Sequence, residues 1–427
     1  MLKKLSLAAL VAMGGMSVAS ATSLTDAIKN VDLSGFLRVR FYNENPTNKN
    51  NSNSDENEYD RWRTNAVLIF KIPVDENIKL VMRNSVESNV YTDEDSIDPE
   101  SNQNSSVDTA IVNNLLFLQY SNGPVNAMVG KIPVPTSITS ADPAKPGHGA
   151  GVIASYKIND NVTVAGAFID AMVNPQNNTD LDGSADRLDD GTDINYTNLN
   201  TIGNDTYAAN VKFNVDMIEG SIWYYNVTHL VDHIWTATFK IKPVEYATIR
   251  LDYANGSLDK DAKLHTTDNG VTYKTAGDCG KDSYAKNHIY GNASLDVKKD
   301  GIEFLVGYAR SNKNVGVVEL SEDAPIGAVI PTANNYNIAN KIDTNAFYGK
   351  LAYDVDPKTN IYLAAQKQNA GEDSKNENND LTEYTFGVKY KYNKKLGFDV
   401  YYDVANWDKQ ADYADNNEFR FEAKYSF

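Results

Sequence analysis

The chain has 427 residues, a formal net charge of −17 and five histidines. An acidic excess of this size argues against a nucleic-acid partner, because such a partner usually needs a basic face. The one cysteine, Cys279, has no partner within the chain, so no intrachain disulfide framework can stabilise the fold. Mean hydropathy is −0.47, and beyond the N-terminus no segment is hydrophobic enough for a transmembrane helix.

The first residues have the organisation of an export signal. Two lysines precede an apolar stretch over about residues 5–18, and Ala19-Ser20-Ala21 is a small-x-small cleavage site. The stretch falls short of the ~20 apolar residues that the alternative, a membrane anchor, needs. We therefore predict a signal peptide at residues 1–21 and a mature chain at 22–427, which forms a single domain with a net charge of −19.

Apolar and polar residues alternate from end to end of the mature chain. In the last segment, Phe419, Phe421 and Tyr425 share one face, and polar side chains alternate with them. A period of two with one apolar and one polar face is typical of a β-strand between two different environments. The pattern predicts eighteen strands, with sixteen as the alternative count. They lie at residues 31–42, 58–72, 78–91, 109–121, 124–131, 149–158, 161–170, 205–216, 220–228, 234–241, 245–254, 287–297, 302–311, 343–354, 360–369, 380–392, 397–406 and 417–427.

The predicted connections alternate between short and long. Short ones such as 122–123, 159–160 and 298–301 contain the turn formers Asn, Asp and Gly. Long connections separate them, with one short exception near 229–233. A bacterial outer-membrane barrel has tight periplasmic turns and long extracellular loops, whereas a soluble sandwich has no reason for this alternation. The sequence therefore predicts an all-β fold, a transmembrane antiparallel β-barrel.

The chain ends on an aromatic residue, Phe427, which closes the last predicted strand. In this ending it resembles bacterial barrel proteins in general, in which the terminal residue is a signal for the outer-membrane assembly machinery. The resemblance implies that Phe427 is an assembly signal. An even strand count also puts both termini on the periplasmic side.

The connection at residues 132–148 is less polar than the other long connections and contains four prolines. Proline fixes the backbone φ angle and therefore stiffens a loop. A loop that folds inside a pore must be rigid and tied to the wall, whereas an external loop need not be. We therefore predict that 132–148 is a constriction loop, with Pro133, Pro135 and Asp142 as its candidate residues.

The inward face of a barrel with 16–18 strands lines an aqueous lumen rather than a packed core. Six basic residues on the polar face of the first three predicted strands would form a basic ladder along one side of this lumen: Arg38, Arg40, Arg61, Arg63, Lys79 and Arg83. The alternative for each residue is that it only solvates the lumen or pairs with a neighbouring acid. Acids facing the ladder would set up a transverse field that orients solutes and excludes apolar ones.

The sequence contains few residue patterns that suggest catalysis. His229 and His233 have the spacing of two metal ligands on a helix, but they lie at a strand end without the glutamate of the zinc-protease motif. Two surface-facing histidines are the better interpretation. The sequence contains no nucleophile elbow, phosphate loop or cysteine–histidine pair, and we predict that the protein is not an enzyme.

Several segments resemble the Campylobacter-type major outer membrane porin family. They are Leu5-Ser6-Leu7-Ala8-Ala9, Ala21-Thr22, Asp26-Ala27-Ile28-Lys29-Asn30-Val31-Asp32-Leu33-Ser34-Gly35, Val129-Gly130-Lys131, Gly166-Ala167-Phe168-Ile169-Asp170 and Val317-Val318-Glu319. The resemblance covers the chain end to end, most closely in its N-terminal third. It implies an eighteen-stranded porin that forms a homotrimer, and this strand number agrees with the count from the alternation.

The same resemblance places acids in the pore constriction that hold a structural calcium ion. The matching positions are Asp142, Asp170 and Glu319, with Glu322 or Asp323 as alternatives to Glu319. Three ionised carboxylates at short range repel one another, and a hard divalent cation with oxygen ligands reverses the sign of that interaction. The alternative is that these residues are solvated loop acids.

The sequence as a whole predicts a porin in the outer membrane of a Gram-negative bacterium, in contact with outer-membrane lipid. It would pass ions and small hydrophilic solutes by passive diffusion. A weak cation preference is expected because acidic loops, such as Asp180 to Asp193, raise the cation concentration at the mouth. The alternatives are a surface adhesin or structural barrel whose loops bind host or matrix, a barrel enzyme, and a soluble β-protein. Bilayer conductance, hydrolysis assays and solubility without detergent separate them.

Overall fold

The computed structural model describes residues 31–47, 59–91, 110–144, 146–173, 194–195, 204–266, 272–275, 287–314, 316–321, 323–334, 336–371, 380–408 and 415–427. Three features of the sequence lie outside these residues: the predicted signal peptide at 1–21, Cys279 and the acidic stretch Asp180 to Asp193. The expectations attached to them stay predictions.

The described residues form β-strands, numbered β1 to β21 in chain order, three more than the sequence predicts. Eighteen of them make one sheet, and the other three make a small separate sheet. The strands of the large sheet are β1 (Asp32–Thr47), β2 (Tyr59–Pro73), β3 (Ile78–Tyr91), β4 (Ala110–Asn122), β5 (Val125–Pro133), β6 (His148–Lys157), β7 (Val162–Val173), β9 (Thr206–Val215), β10 (Ile218–Val227), β11 (Val231–Val244), β12 (Ala247–Leu258), β15 (His288–Lys299), β16 (Ile302–Ser311), β17 (Asn345–Asp356), β18 (Thr359–Asn369), β19 (Leu381–Lys391), β20 (Leu396–Trp407) and β21 (Asp415–Ser426). The small sheet contains β8 (Ile194–Asn195), β13 (Lys263–Thr266) and β14 (Thr272–Thr275).

Each strand of the large sheet pairs antiparallel with the next strand of that sheet, and β21 pairs with β1. Beside this last junction, the backbones of Gly35 and Phe427 exchange two hydrogen bonds of 3.2 and 3.1 Å. Gly35 must be a glycine, because a Cβ there would lie 1.9 Å from the carbonyl oxygen of Val67. The sheet is therefore a closed barrel without a free edge.

The cross-strand register separates two faces of the barrel wall. On the inner face, Arg38 lies opposite Asn65 and both are buried. On the outer face, large apolar side chains are exposed, among them Leu37, Leu116, Leu251, Phe304, Phe347 and Phe386. A soluble protein buries such residues, whereas a membrane barrel turns them towards lipid. The alternation in the sequence therefore corresponds to a lipid face and a lumen face.

Connections at one end of the barrel are tight and those at the other end are mostly long. The tight turns are 74–77, 123–124, 158–161, 216–217, 245–246, 300–301, 357–358 and 392–395. Asp216, Asp300 and Gly301 have positive φ angles, which such turns require. One connection at the long end, 228–230, is short, as the sequence indicates.

Among the described residues, no helix is long and apolar enough to cross a membrane.

The apolar interior lies inside the barrel, between its wall and two loops. The first inward loop (residues 134–147) connects β5 to β6, and its Ile138 packs with Met172 and Tyr225 of the wall. The second inward loop (residues 312–344) connects β16 to β17, and its Ile326 packs against Tyr290. The two loops fill part of the lumen because burying these side chains removes apolar area from water, worth about 1.5–3 kcal/mol for each large one.

The predicted eighteen-stranded antiparallel barrel is confirmed. The bounds of β3 and β16 agree with the predicted segments 78–91 and 302–311. The largest difference is at β1, which continues to Thr47 instead of ending at residue 42. Its last residues carry no apolar alternation, but they remain paired with β21 up to Asp415. Backbone hydrogen bonds therefore extend strands beyond the part that the alternation marks.

Candidate functional site

The first inward loop is held as a closed unit. At its neck, the Val134 amide donates to the Gly147 carbonyl at 2.9 Å, and the Gly147 amide donates to the Ser140 carbonyl at 3.1 Å. The Thr139 hydroxyl donates to the Val134 carbonyl and is itself buried. These hydrogen bonds hold the described residues of the first inward loop in place inside the barrel.

On one side, the first inward loop is tied to β3 by an arginine. Arg83 is 2% exposed, and its guanidinium donates to the carbonyls of Pro143 and Ala144 at 2.7 and 2.8 Å. The same guanidinium donates to Asn114 Oδ1 at 2.7 Å, which fixes its orientation. Several charge-assisted bonds from one planar group make a strong, directional anchor.

On the other side, the loop is tied to β10 and β11. The Ser137 hydroxyl lies 2.8 Å from the Tyr225 hydroxyl and 2.6 Å from the Thr236 hydroxyl. Because β3 and β10 are well separated around the barrel, these contacts and those of Arg83 place the loop across the lumen. Whether the predicted segment 132–148 sets the narrowest point stays a prediction.

The second inward loop meets the first one inside the barrel. The Leu320 amide donates to the Ile138 carbonyl at 2.7 Å, and the Ile326 amide donates to the Ser137 carbonyl at 3.0 Å. The resemblance placed Glu319 of this loop in the pore constriction, but the residue pattern by itself did not mark 312–344 as an inward loop. The missed signal is the apolar run around Val317 and Val318, both buried, which a solvated external loop has no reason to contain.

The far end of the second inward loop is fixed by two carboxylates of the wall. Glu383 on β19 accepts hydrogen bonds from the Thr332 hydroxyl at 2.8 Å and from the Asn334 amide at 3.1 Å. The Asn334 side chain donates to Asp403 on β20 at 2.8 Å. Glu383 and Asp403 are fully buried. Nearby, burial raises the pKa of the Tyr336 hydroxyl, and the charges of these two carboxylates raise it further.

The predicted basic ladder faces the lumen, but most of its members are paired with acids. The ion pairs are Arg40 with Glu422 at 2.5 Å, Arg61 with Glu44 at 3.0 Å, and Arg63 with Glu87 at 2.8 Å. These glutamates lie on β21, β1 and β3, so acids alternate with bases along the same wall. In a one-sided basic stripe, the acids would lie on another part of the wall. Here the paired glutamates weaken the positive field of the arginines.

Two members of the ladder contact the first inward loop, and one stands apart. Arg38 lies 3.8 Å from Asp142 of the loop, and Arg83 anchors the loop as described above. Lys79 is exposed next to the turn at the start of β3 and has no ion pair within the described part of the chain. Lys79 is therefore not part of the group that the arginines form.

Pro133 and Pro135 occupy different environments at the start of the first inward loop. Pro133 is the last residue of β5 and lies opposite His148 in the register. Pro135 is exposed and lines a recess below the loops.

The structure does not gather the three carboxylates of the predicted calcium site. Asp142 is paired with Arg38 and accepts a hydrogen bond from the Ala144 amide at 2.8 Å. Asp170 is the extra residue of a bulge between β6 and β7 and is exposed. Glu319 is buried, and a Cβ on Gly327 would lie 2.3 Å from its Oε2. Among the described residues, no group of three acidic, histidine or cysteine side chains is arranged to hold a metal ion. The calcium site therefore stays a prediction.

Of the two alternatives to Glu319, the structure describes Asp323. The Asp323 carbonyl accepts a hydrogen bond of 3.4 Å from the amide of Ala141, the residue before Asp142. Glu322 lies outside the described residues.

His229 and His233 do not form a pair of ligands. His229 is exposed in the turn before β11 with a φ angle of 60°. His233 lies within β11, where its ring is near the Asp232 carboxylate at 2.9 Å and Asn255 at 3.2 Å. On a helix, the spacing of His229 and His233 would bring the two side chains together. In the structure one lies in a turn and the other in a strand, where the same spacing does not pair them.

A closed barrel with an apolar outer face and a charged lumen crossed by inward loops defines an outer-membrane porin channel. The sequence belongs to a known family of this class. The Campylobacter major outer membrane protein family matches residues 1–427, the whole chain, and the chain belongs to it. The protein is therefore located in the outer membrane of a Gram-negative bacterium, in contact with membrane lipid, as the sequence predicts.

Solved structures of other outer-membrane channels have the same fold. OpdK of Pseudomonas aeruginosa, determined with vanillate, aligns at a TM-score of 0.65 with 9% identity over 93% of this chain and 99% of that chain. OccK8 (OprE) of the same organism aligns at 0.65 with 12% identity over 93% and 98%. Acinetobacter baumannii OccAB4 aligns at 0.62 with 13% identity over 93% and 98%. A search of curated protein sequences finds no match.

Proposed function

We propose that this porin is a passive, water-filled diffusion channel for ions and small hydrophilic solutes, narrowed by its two inward loops. The observation that carries the proposal is the distribution of charge: ion pairs such as Arg40–Glu422 and Arg63–Glu87 line the lumen, while large apolar residues cover the outside. Charged walls keep a lumen hydrated, and a narrow part selects solutes by size and charge.

The test of this proposal is conductance of the purified protein in planar bilayers, together with swelling of liposomes in small sugars. We expect stepwise, ohmic channels and swelling rates that fall with increasing sugar size. Absence of conductance from folded protein would overturn the proposal and leave the adhesin or structural barrel as the better interpretation. Hydrolysis of lipid or peptide substrates by the same preparation would instead support a barrel enzyme.

We expect a weak preference for cations. The acidic excess of the chain raises the cation concentration near the mouth, while the glutamate partners of the ladder arginines lower the positive field inside. The measurement is the reversal potential in a salt gradient, and the preference should shrink as salt screens the charges.

A matched variant tests the contribution of the lumen wall. Glu422→Gln removes the acid that lies 2.5 Å from Arg40 and should move the reversal potential towards the anion side. Glu76→Gln, an exposed residue in a tight turn, changes the same charge and should have little effect. A clear anion preference of the native channel at low salt would refute the proposed selectivity.

We also infer a homotrimer, which the family membership supports. Identical barrels can associate with closed cyclic symmetry through their outer walls. Light scattering in mild detergent, corrected for bound detergent, should give about three times the mass of one mature chain. The mass of a single chain under these conditions would contradict the trimer.

A further inference from the structure

A recess of about 340 Å³ lies in the lumen on the turn side of the two inward loops. Its wall is formed by the inner faces of β9 to β12, and Pro135 and Pro325 of the two loops complete it. This volume falls within the range of small-molecule sites, at about 300–1,000 Å³. The recess does not contain any residue of the predicted ladder or of the predicted calcium site.

One wall of the recess presents a fixed aromatic surface. Trp223 lines it and stacks on Tyr225 with a ring-centroid distance of 5.4 Å and an interplanar angle of 10°. Tyr225 is 1% exposed and is held by its hydrogen bonds to Ser137. Because the ring beneath it is immobilised, the indole of Trp223 is a rigid platform for a flat or apolar group.

The recess also carries an excess of positive charge. Lys240 and Arg250 lie directly opposite each other on β11 and β12, and both line the recess. Like charges in this position destabilise a pair of strands unless a counter-charge lies between them. Arg250 has such a partner, since its guanidinium donates to both oxygens of Asp252 at 2.7 and 3.1 Å.

Lys240 has no ion pair within the described residues. Glu219 lies opposite it on β10, but the ion pair that Glu219 forms is with Lys212, at 3.9 Å. Three cations, Lys212, Lys240 and Arg250, and one acid, Glu219, line the recess. Asp252, which pairs with Arg250, is not part of its lining. An anionic group beside Lys240 would reduce the repulsion between Lys240 and Arg250. Trp223 lines the same recess.

We propose that this recess is a subsite for small organic anions that carry a flat apolar portion, such as a simple aromatic carboxylate. The carboxylate binds at Lys240, and the apolar portion lies on the indole of Trp223. The proposal rests on the channel function proposed above, because the solute reaches the recess through the lumen.

The experiment uses benzoate as the probe, acetate as the probe without a ring, and benzylammonium as the probe of opposite charge. Benzoate should partly block the current of the native channel at lower concentrations than either of the others. Lys240→Gln should raise the half-blocking concentration of benzoate about tenfold. Trp223→Leu should weaken benzoate more than acetate, since only benzoate uses the ring.

A control separates this site from the general field of the lumen. Lys350→Gln removes a lysine from the inner wall that is paired with Glu303 at 3.0 Å and does not line the recess. It should leave the block by benzoate unchanged. An equal effect of Lys240→Gln and Lys350→Gln, no block of a conducting channel, or a block by benzylammonium as strong as that by benzoate would each overturn the subsite.

Binding is also measured without current, by tryptophan fluorescence of the detergent-solubilised protein. The native chain has four tryptophans, and benzoate should quench the part of the emission that Trp223→Leu removes. Quenching without conductance would retain the subsite and reject the channel. Conductance without quenching or block would reject the subsite and retain the channel.

Discussion

Deletion of Phe427 is expected to reduce the amount of folded protein in the outer membrane several-fold. Phe427 forms two backbone hydrogen bonds with Gly35 beside the junction of β21 and β1. At about 1 kcal/mol for each bond, their loss removes about 2 kcal/mol from barrel closure. The measurement is the proportion of heat-modifiable, folded protein in outer-membrane fractions, compared with the native chain at equal expression.

The matched variant is Phe427→Ala, which keeps the backbone hydrogen bonds and removes the ring. The ring lies 6.1 Å from that of Tyr425 and is 36% exposed. If Phe427→Ala assembles as poorly as the deletion, the side chain is the signal that the assembly machinery reads. If only the deletion variant assembles poorly, the loss of the backbone hydrogen bonds to Gly35 is the cause. Normal levels of both would refute the predicted role of Phe427.

Arg83→Met is expected to release one side of the first inward loop. The change removes the hydrogen bonds to Pro143, Ala144 and Asn114. Hydrogen bonds of a charged group are worth about 1.5–3 kcal/mol each, and since lumen water replaces some of them we expect a net loss of about 2–4 kcal/mol. Thermal unfolding in detergent should begin at a lower temperature. Single-channel currents should become larger and noisier, because the loop no longer stays fixed across the lumen.

The control for this prediction is Lys79→Met. Lys79 lies on the same strand and the same face as Arg83, and its replacement by methionine removes the same charge. Lys79 is exposed near the turn and does not contact the loop. We expect nearly native conductance and stability for this variant. If Lys79→Met and Arg83→Met change the current equally, the effect comes from the charge and not from the anchor. Unchanged currents in Arg83→Met would show that the loop does not narrow the channel.

The anchors of the two inward loops hold both loops in place inside the channel. A loop attached at one point could move into or out of the current path, whereas the first inward loop has anchors on β3 and on β10. The second inward loop has its own anchors at Glu383 and Asp403, and it hydrogen-bonds to the first. The two loops therefore support each other, and weakening either one should affect the conductance set by both.

The sequence by itself determined the barrel, because its cause is local. Each strand alternates between lipid and lumen, so a period of two is visible in segments such as 302–311 without any knowledge of distant contacts. Tight turns need residues that accept positive φ, such as Gly123 and Gly301, and these mark one end of the barrel. The strand order then follows from antiparallel pairing of consecutive strands.

Tertiary structure alone decided the contents of the lumen. The alternation placed Arg40 and Arg63 on the inner face, but their partners Glu422 and Glu87 come from other strands and depend on the register. Glu422 is 382 positions away from Arg40 in sequence. The inward fold of 312–344 likewise depends on buried carboxylates of β19 and β20, which have no local relation to the loop. Long-range pairing of this kind leaves no periodic pattern in the sequence, because the geometry that unites the residues exists only after the barrel has closed.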